Sequence, residues 1–274
     1  MPAVVPANPS EYGRAEEIDL LRCVAIPSAR GLIEGNYMAG KERQFAPGTQ
    51  CALCRVVLIG QFSIAPFWNV PFCRTHEICE CCCFPTTAAV TGQRPYCSRC
   101  RPTLVQDKSV GLLRLVDVAR RLGRGISSDG RGMIIPLADI RFTLNGVLRK
   151  NRLGYTQMQG QTLNGKLVAR TITVNVKSAL PEIEFDMVAA HELTHAWFYL
   201  NSIQESKKVT EGIAELNAYW LLSKLQSPVA EILMKKVSTN PDRVYGDGFR
   251  EAYHRERKLG WGEISNQLLK SNRS

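Results

Sequence analysis

Four pairs of metal-ligand residues lie between positions 51 and 100, and each pair has two residues between its members. In chain order the pairs are Cys51 with Cys54, Cys73 with His76, Cys79 with Cys82, and Cys97 with Cys100. Thiolates and imidazoles at this spacing are typical ligands of tetrahedral zinc, and eight of them suffice for two ions. Because the segment has too few hydrophobic residues for an independent core, bound metal must supply its stability. We therefore predict a separate domain with two structural zinc ions at residues 46–103.

Spacing alone does not decide which ligands share an ion. Consecutive filling, typical of LIM domains, predicts a first site of Cys51, Cys54, Cys73 and His76 and a second site of Cys79, Cys82, Cys97 and Cys100. Interleaved filling is typical of RING ubiquitin ligases, and the order of cysteine and histidine matches that pattern at least as well. The two-residue gap between His76 and Cys79 favours LIM, and Cys81 and Cys83 make the choice of Cys79 and Cys82 one of spacing only. We adopt the consecutive assignment and leave the RING pairing open.

Two histidines one helical turn apart occur in the motif His191-Glu192-Leu193-Thr194-His195. At this spacing both imidazoles lie on one face of a helix and can bind one metal ion. The neighbours from Val188 to Ala190 and from Ala196 to Phe198 are uncharged, as expected for a buried helix. If the histidines were only core residues, Glu192 would be buried without a partner, which is costly. The motif therefore predicts a catalytic zinc that activates water, with Glu192 as the general base in peptide-bond hydrolysis.

A catalytic zinc needs a third protein ligand, and Glu211 and Glu215 are the candidates. They lie one turn apart in a helix that we predict at Thr210 to Lys224. The segment Glu211-Gly212-Ile213-Ala214 resembles the glutamate zincins, in which the glutamate before the glycine is the ligand. This resemblance implies Glu211 as the ligand and Glu215 as a partner that orients one of the histidines. The fifteen residues between His195 and Glu211 are fewer than in the best-known zincins, so Glu215 stays an alternative ligand.

The developing oxyanion needs a hydrogen-bond donor, and we predict Tyr245 for this catalytic role because glycines follow it in the same segment. Tyr253 and His254 are alternatives. The strand predicted at 171–177 offers an edge to an extended peptide, by analogy with zincins.

The remaining pattern predicts an α+β fold. A short helix is expected at 11–25, within an N-terminal helix and connector that cover 1–45, and a second helix at 108–122. Asn164-Gly165 is typical of a hairpin turn, and the alternation of Ile172, Val174 and Val176 with polar residues predicts a half-buried strand. Pro181 is expected at the start of the long helix that carries the histidines. We predict a zincin-type metallopeptidase domain at 104–274, preceded by the small LIM-like two-zinc domain.

Both halves together resemble one family, the DA-one peptidases, which are LIM-containing and activated by ubiquitin. Four segments carry the resemblance: Ala65-Pro66-Phe67-Trp68-Asn69, the motif from His191 to Trp197, Glu211-Gly212-Ile213, and Tyr245-Gly246-Asp247-Gly248-Phe249-Arg250. The resemblance implies a selective endopeptidase beside a LIM-like domain. No ubiquitin-interacting helix is recognised, so activation by ubiquitin is not carried over.

Composition bears on partners and location. The net charge of +10 is spread along the chain and interleaved with core positions, so we favour a solvated surface over a nucleic-acid site. We expect a protein or peptide substrate, and a protein partner for the LIM-like domain, with ubiquitin among the candidates. No membrane span or secretory leader is recognised, and metal-ligand cysteines fit a reducing compartment, so we expect a cytoplasmic protein. The alternative function is a non-catalytic zinc-binding adaptor or RING-like ubiquitin ligase with a degenerate peptidase scaffold.

Overall fold

The fold was described from a computed structural model, which defines residues 48–65, 67–87, 94–146, 148, 152–163 and 166–271. The helix and connector expected at 1–45 lie outside the described residues. The architecture is α+β, as the sequence predicted, with a cysteine-rich region followed by a sheet and a group of helices.

The cysteine-rich region contains two short antiparallel hairpins. Strand β1 (Ser63–Ala65) pairs with β2 (Val70–Phe72), and β3 (Glu77–Ile78) pairs with β4 (Pro85–Thr86). The buried side chains around them are mostly cysteines, with Phe72 as the largest fully buried one. This small core agrees with the prediction that the segment depends on bound metal.

A short strand links this region to the rest of the molecule. Strand β5 (Leu104–Val105) follows the last cysteine pair and pairs antiparallel with β9 (Leu180–Pro181). Because β9 directly precedes the long helix of the histidine motif, the two halves of the chain meet at the start of that helix.

The main sheet has three strands in the order β6-β8-β7. Strand β6 (Ile140–Asn145) is parallel to β8 (Lys166–Lys177), whereas β7 (Gly154–Leu163) is antiparallel to it. The last pair of β7 and β8 joins Leu163 to Lys166, and the predicted turn Asn164-Gly165 falls between them, outside the described residues.

The predicted strand at 171–177 forms the second half of β8, and its alternate residues Ile172, Val174 and Val176 are buried. Its expected role as an open edge is wrong, because β8 is the central strand and both of its edges are paired. Among the described strands, β6 and β7 form the edges of this sheet.

Six α-helices follow the cysteine-rich region within the described residues. They are α1 (Lys108–Arg124), α2 (Glu182–Leu200), α3 (Lys207–Ser223), α4 (Pro228–Ser238), α5 (Tyr245–Leu259) and α6 (Trp261–Ser271). Helix α1 runs two residues past the predicted end, and Gly125 with φ 87° ends it. Helix α3 begins three residues earlier than predicted, because the Ser206 side chain accepts from the main-chain NH of Val209 and caps it.

Helix α2 lies at the centre of the core, between α1, α3 and the strands β7 and β8. Nearly every residue from Glu184 to Phe198 is buried, in agreement with the uncharged stretches Val188 to Ala190 and Ala196 to Phe198 that flank the motif. Pro181 directly precedes the first turn of α2. The acidic side chains of Glu182 and Glu184 lie in that turn, where the positive end of the helix dipole stabilises negative charge. No helix in the described part of the chain is long and apolar enough to cross a membrane.

Candidate metal centre

Three ligand atoms from two helices converge in the core. Helix α2 presents His191 and His195 one turn apart, with 3.0 Å between their Nε2 atoms. Helix α3 presents Glu211, whose Oε2 lies 3.2 Å from Nε2 of His191 and 3.4 Å from Nε2 of His195. Ligand atoms bound at about 2.0–2.1 Å to one tetrahedral zinc are separated by roughly 3.3 Å. The three atoms thus have the separations that a single zinc ion requires.

The surroundings of Glu211 also fit a cation. Its side chain has no exposed surface, and neither carboxylate oxygen has a hydrogen-bond partner in the described residues. Burial alone would raise the pKa of this carboxyl, but His195 and His191 outweigh it and lower the pKa to about 2. A buried carboxylate without donors is costly, and a metal ion between the three ligand atoms would balance its charge. The residues present therefore fit a divalent metal.

Glu215 lies on the other side of His191. Its Oε1 is 3.5 Å from Nδ1 of His191, whereas the Glu211 oxygen is near Nε2. Burial raises the pKa of Glu215. An acceptor beside Nδ1 favours the tautomer in which Nε2 is free to bind a metal.

The proposed general base, Glu192, is completely buried between α2 and β7. The Thr156 hydroxyl on β7 lies 2.8 Å from Oε2 of Glu192 and 2.9 Å from its main-chain oxygen, so it donates its single proton to either acceptor. Oε1 has no hydrogen-bond partner in the described part of the chain. Burial raises the pKa of Glu192 to about 7. One carboxylate oxygen thus contacts the sheet, and the other has no partner among the described residues.

Gly154, at the start of β7, makes room for this carboxylate. A Cβ atom at Gly154 would lie 2.8 Å from Oε1 of Glu192 and 2.7 Å from Cγ1 of Val188, which is closer than real Cβ contacts allow. Sequence reasoning missed both Gly154 and Thr156. The segment from 154 to 163 was not predicted as a strand, and its place beside α2 is a tertiary contact without a sequence motif.

Close backbone contacts at two glycines hold α3 against α5, and α5 against the segment that precedes it. A Cβ at Gly212 would lie 2.3 Å from the main chain of Gly248, so helices α3 and α5 are in backbone contact next to Glu211. A Cβ at Gly246 would lie 1.9 Å from the oxygen of Asn240, which leaves that position to glycine as well. Tyr245, the first residue of α5, is buried. Its role as oxyanion donor stays a prediction.

The eight ligands of the cysteine-rich region form two groups that are consecutive along the chain. Within each group all ligand atoms lie within 4.8 Å of one another. The first group is Cys51, Cys54, Cys73 and His76, and the second is Cys79, Cys82, Cys97 and Cys100. Sulfur atoms of Cys54 and Cys73 are 3.7 Å apart, and those of Cys82 and Cys97 are 3.5 Å apart, close to the roughly 3.8 Å expected around one tetrahedral zinc. Cys81 and Cys83 are buried nearby but belong to neither group.

Parts of this chain are similar in sequence to known proteins. A family model described as DA1-like, Protein DA1, matches residues 131–230, which include the His191, His195 and Glu211 positions. The chain is 24% identical over 218 residues to Protein DA1-related 2 of Arabidopsis thaliana, covering 61% of this chain and 40% of that protein. It is 22% identical over 166 residues to the LIM domain-containing protein HDR3 of Oryza sativa subsp. japonica, covering 46% of this chain and 33% of that protein.

The matched stretches thus span between 33% and 40% of the length of these relatives. No solved structure matches the chain. The family match covers the helices of the metal centre, and the cysteine groups have the composition of zinc sites. Residues 131–230 of this chain are thus similar to the DA1-like family model, and a LIM-like cysteine-rich region precedes them.

Proposed function

We propose that this protein is a zinc-dependent endopeptidase of the zincin type that cleaves selected intracellular proteins. The observation that carries the proposal is the triangle of His191 Nε2, His195 Nε2 and Glu211 Oε2, with edges of 3.0 to 3.4 Å, beside the buried Glu192. Two histidines and a glutamate, with a fourth position open, are the ligand set of catalytic zinc in several peptidases.

A zinc ion held by these three residues would supply a Lewis acid that polarises the scissile carbonyl and water. Glu192 accepts the proton of the attacking water on Oε1, while the Thr156 hydroxyl holds Oε2. The same carboxyl then delivers the proton to the leaving amine. Tyr245 is the proposed donor to the oxyanion, and Glu215 orients His191 through Nδ1.

Strand β7, and not the strand that contains residues 171–177, is the proposed edge to which an extended substrate peptide binds. It borders the buried Glu192 on one side and is an edge of the described sheet on the other. An extended peptide that adds to this edge would run past the metal centre.

The cysteine-rich region, proposed as a domain at 46–103 before a peptidase domain at 104–274, would hold two structural zinc ions. LIM-like domains bind proteins, and we propose a protein partner, with ubiquitin among the candidates. Because metal-ligand cysteines require reduced thiols, we propose a cytoplasmic location. The consecutive grouping of the ligands does not favour the RING-like alternative, since RING domains interleave them.

The test combines zinc content with cleavage by the wild type and Glu192→Gln. Both proteins are analysed for bound zinc and incubated with a mixture of denatured proteins, and new amino termini are counted by mass spectrometry. We expect Glu192→Gln to keep its zinc and to lose cleavage by at least about a hundredfold. Glu205→Gln, at an exposed loop position, serves as the matched control and should cleave as the wild type does.

Full cleavage by Glu192→Gln with zinc bound would refute the role of Glu192. A wild type that cleaves nothing, and that has the same zinc content as His191→Ala, would instead favour the non-catalytic adaptor.

A further inference from the structure

Glu184 connects the metal-binding helix to the cysteine-rich region. It is buried on α2 seven residues before His191, which places the two side chains about 20° apart around the helix axis and roughly 10 Å apart along it. Arg94 donates to both carboxylate oxygens of Glu184, at 3.0 and 3.2 Å, and the Tyr96 hydroxyl donates to Oε2 at 3.2 Å. All of these donors come from the segment just before Cys97.

Arg94 and Tyr96 also contact residues of the second cysteine group and its neighbours. Arg94 also pairs with Glu80, which lies between Cys79 and Cys82, and its guanidinium lies 5.3 Å from the centre of the Tyr96 ring. Tyr96 is buried together with the cysteines of the second group. The position of both donors therefore depends on the site formed by Cys79, Cys82, Cys97 and Cys100.

Further contacts connect the same site to the helices. Lys236 on α4 donates to the main-chain oxygens of Glu80 and Cys81. Ile183 on α2 packs against the buried cysteines of the second group. The chain after Cys100 enters β5, whose pairing with β9 fixes the residues that precede α2. The second cysteine group thus lies against the amino-terminal end of α2 from several directions.

We propose that Arg94 and Tyr96 are positioning residues for the metal centre, so that the second cysteine site is part of the active-site scaffold and not only a docking module. The inference rests on the proposed function. Glu184 lies two turns from His191 on the same face of α2, so a change in packing at Glu184 displaces the face that carries the metal ligands. Metal ligands need placement within about 0.5 Å, so a small shift weakens the centre.

A second ion pair on α2 provides a matched control. Arg114 on α1 pairs with Glu182 and with the buried Asp186, just as Arg94 pairs with Glu80 and Glu184. Asp186 is five residues before His191, about 140° away around the helix, and its partner does not come from the cysteine-rich region. Arg94→Gln and Arg114→Gln each break one bidentate pair on the same helix. They differ in whether the pair connects to the second cysteine site.

The experiment measures three quantities on zinc-loaded full-length protein. The first is the zinc affinity of the His191 site, measured by chelator competition while the cysteine sites are still filled. The second is amide hydrogen exchange of residues 182–195. The third is steady-state kinetics that give kcat and KM separately. We expect Arg94→Gln to weaken zinc binding and to lower kcat by about tenfold each, with KM within twofold. Exchange in 182–195 should rise. Arg114→Gln should lower the melting temperature but change zinc affinity and kcat by less than about twofold.

Tyr96→Phe removes only one hydroxyl donor, and it tests the inference if Arg94→Gln does not fold. It should shift zinc affinity and kcat in the same direction by a smaller factor. The inference would be overturned if Arg94→Gln and Arg114→Gln lost zinc affinity and kcat equally. It would also be overturned if neither Arg94→Gln nor Tyr96→Phe lowered zinc affinity or kcat. Zinc affinity and hydrogen exchange do not depend on cleavage. If the wild type cleaves nothing while Arg94→Gln still weakens zinc binding, the proposed function fails and the positioning role stands.

Discussion

The hydroxyl of Thr156 on β7 lies 2.8 Å from Oε2 of Glu192 on α2. This contact joins the edge of the sheet to the carboxylate that is proposed to move the proton. Oε1 of Glu192 has no hydrogen-bond partner in the described residues, and it is the oxygen to which the proposed mechanism assigns the water.

Replacing Thr156 by valine should lower kcat by about tenfold and leave KM within twofold, since the carboxylate loses the donor that orients it. The zinc content should not change, because Thr156 contacts none of the three metal ligands by its hydroxyl. Thr143→Val is the control: Thr143 donates to Asn175 in the same sheet, away from Glu192. Steady-state kinetics and zinc analysis of both variants measure kcat, KM and zinc content. Equal decreases of kcat in Thr156→Val and Thr143→Val would contradict a specific role for Thr156.

Gly154→Ala should destabilise the protein by about 1–3 kcal/mol, because the added methyl overlaps Val188 and Glu192 in a packed core. It should also lower kcat, since Glu192 must move to make room. Gly146→Ala provides the comparison, as its Cβ would meet only Ser178 Oγ at 3.8 Å. Denaturant unfolding of both variants measures the difference. A Gly154→Ala protein as stable and active as Gly146→Ala would show that the site tolerates the methyl group.

The two glutamates of α3 should differ in their effect on zinc. Glu211→Gln removes the charged ligand and should leave the protein with one zinc per chain fewer than the wild type. Glu215→Gln should weaken zinc binding at the same site by about 10–100-fold, and excess zinc should restore occupancy. Zinc titration monitored by competition with a chromophoric chelator separates the two effects. The opposite pattern would make Glu215 the ligand.

Zinc should leave the two cysteine groups at different rates. In the first group Cys54 is exposed and Cys73 and His76 are partly exposed, whereas all four members of the second group are buried. A chelator should therefore release the two cysteine-bound zinc ions in two phases, with the first cysteine group losing its ion before the second. Alkylation followed by mass spectrometry should find Cys54 modified before Cys97 and Cys100. Modification of Cys97 or Cys100 as fast as that of Cys54 would contradict the expected order.

The features that the sequence determined by itself are local. A spacing of four residues puts His191 and His195 on one face of any helix, and two intervening residues bring Cys51 and Cys54 close together in any zinc knuckle. Alternation from Ile172 to Val176 predicted a strand for the same reason, because side-chain direction along a strand follows from the backbone geometry. The long helix after Pro181 followed from its uninterrupted run of helix-compatible residues.

Only the tertiary structure decided the contacts between elements. It placed Glu211 near Nε2 and Glu215 near Nδ1 of His191, grouped the cysteine pairs consecutively, and made β8 a central strand with β7 at the edge. It also brought Thr156 to Glu192, and Arg94 to Glu184 across 90 residues of chain. Spacing fixes which side of its own element a residue occupies, but which element lies opposite depends on how the whole core packs.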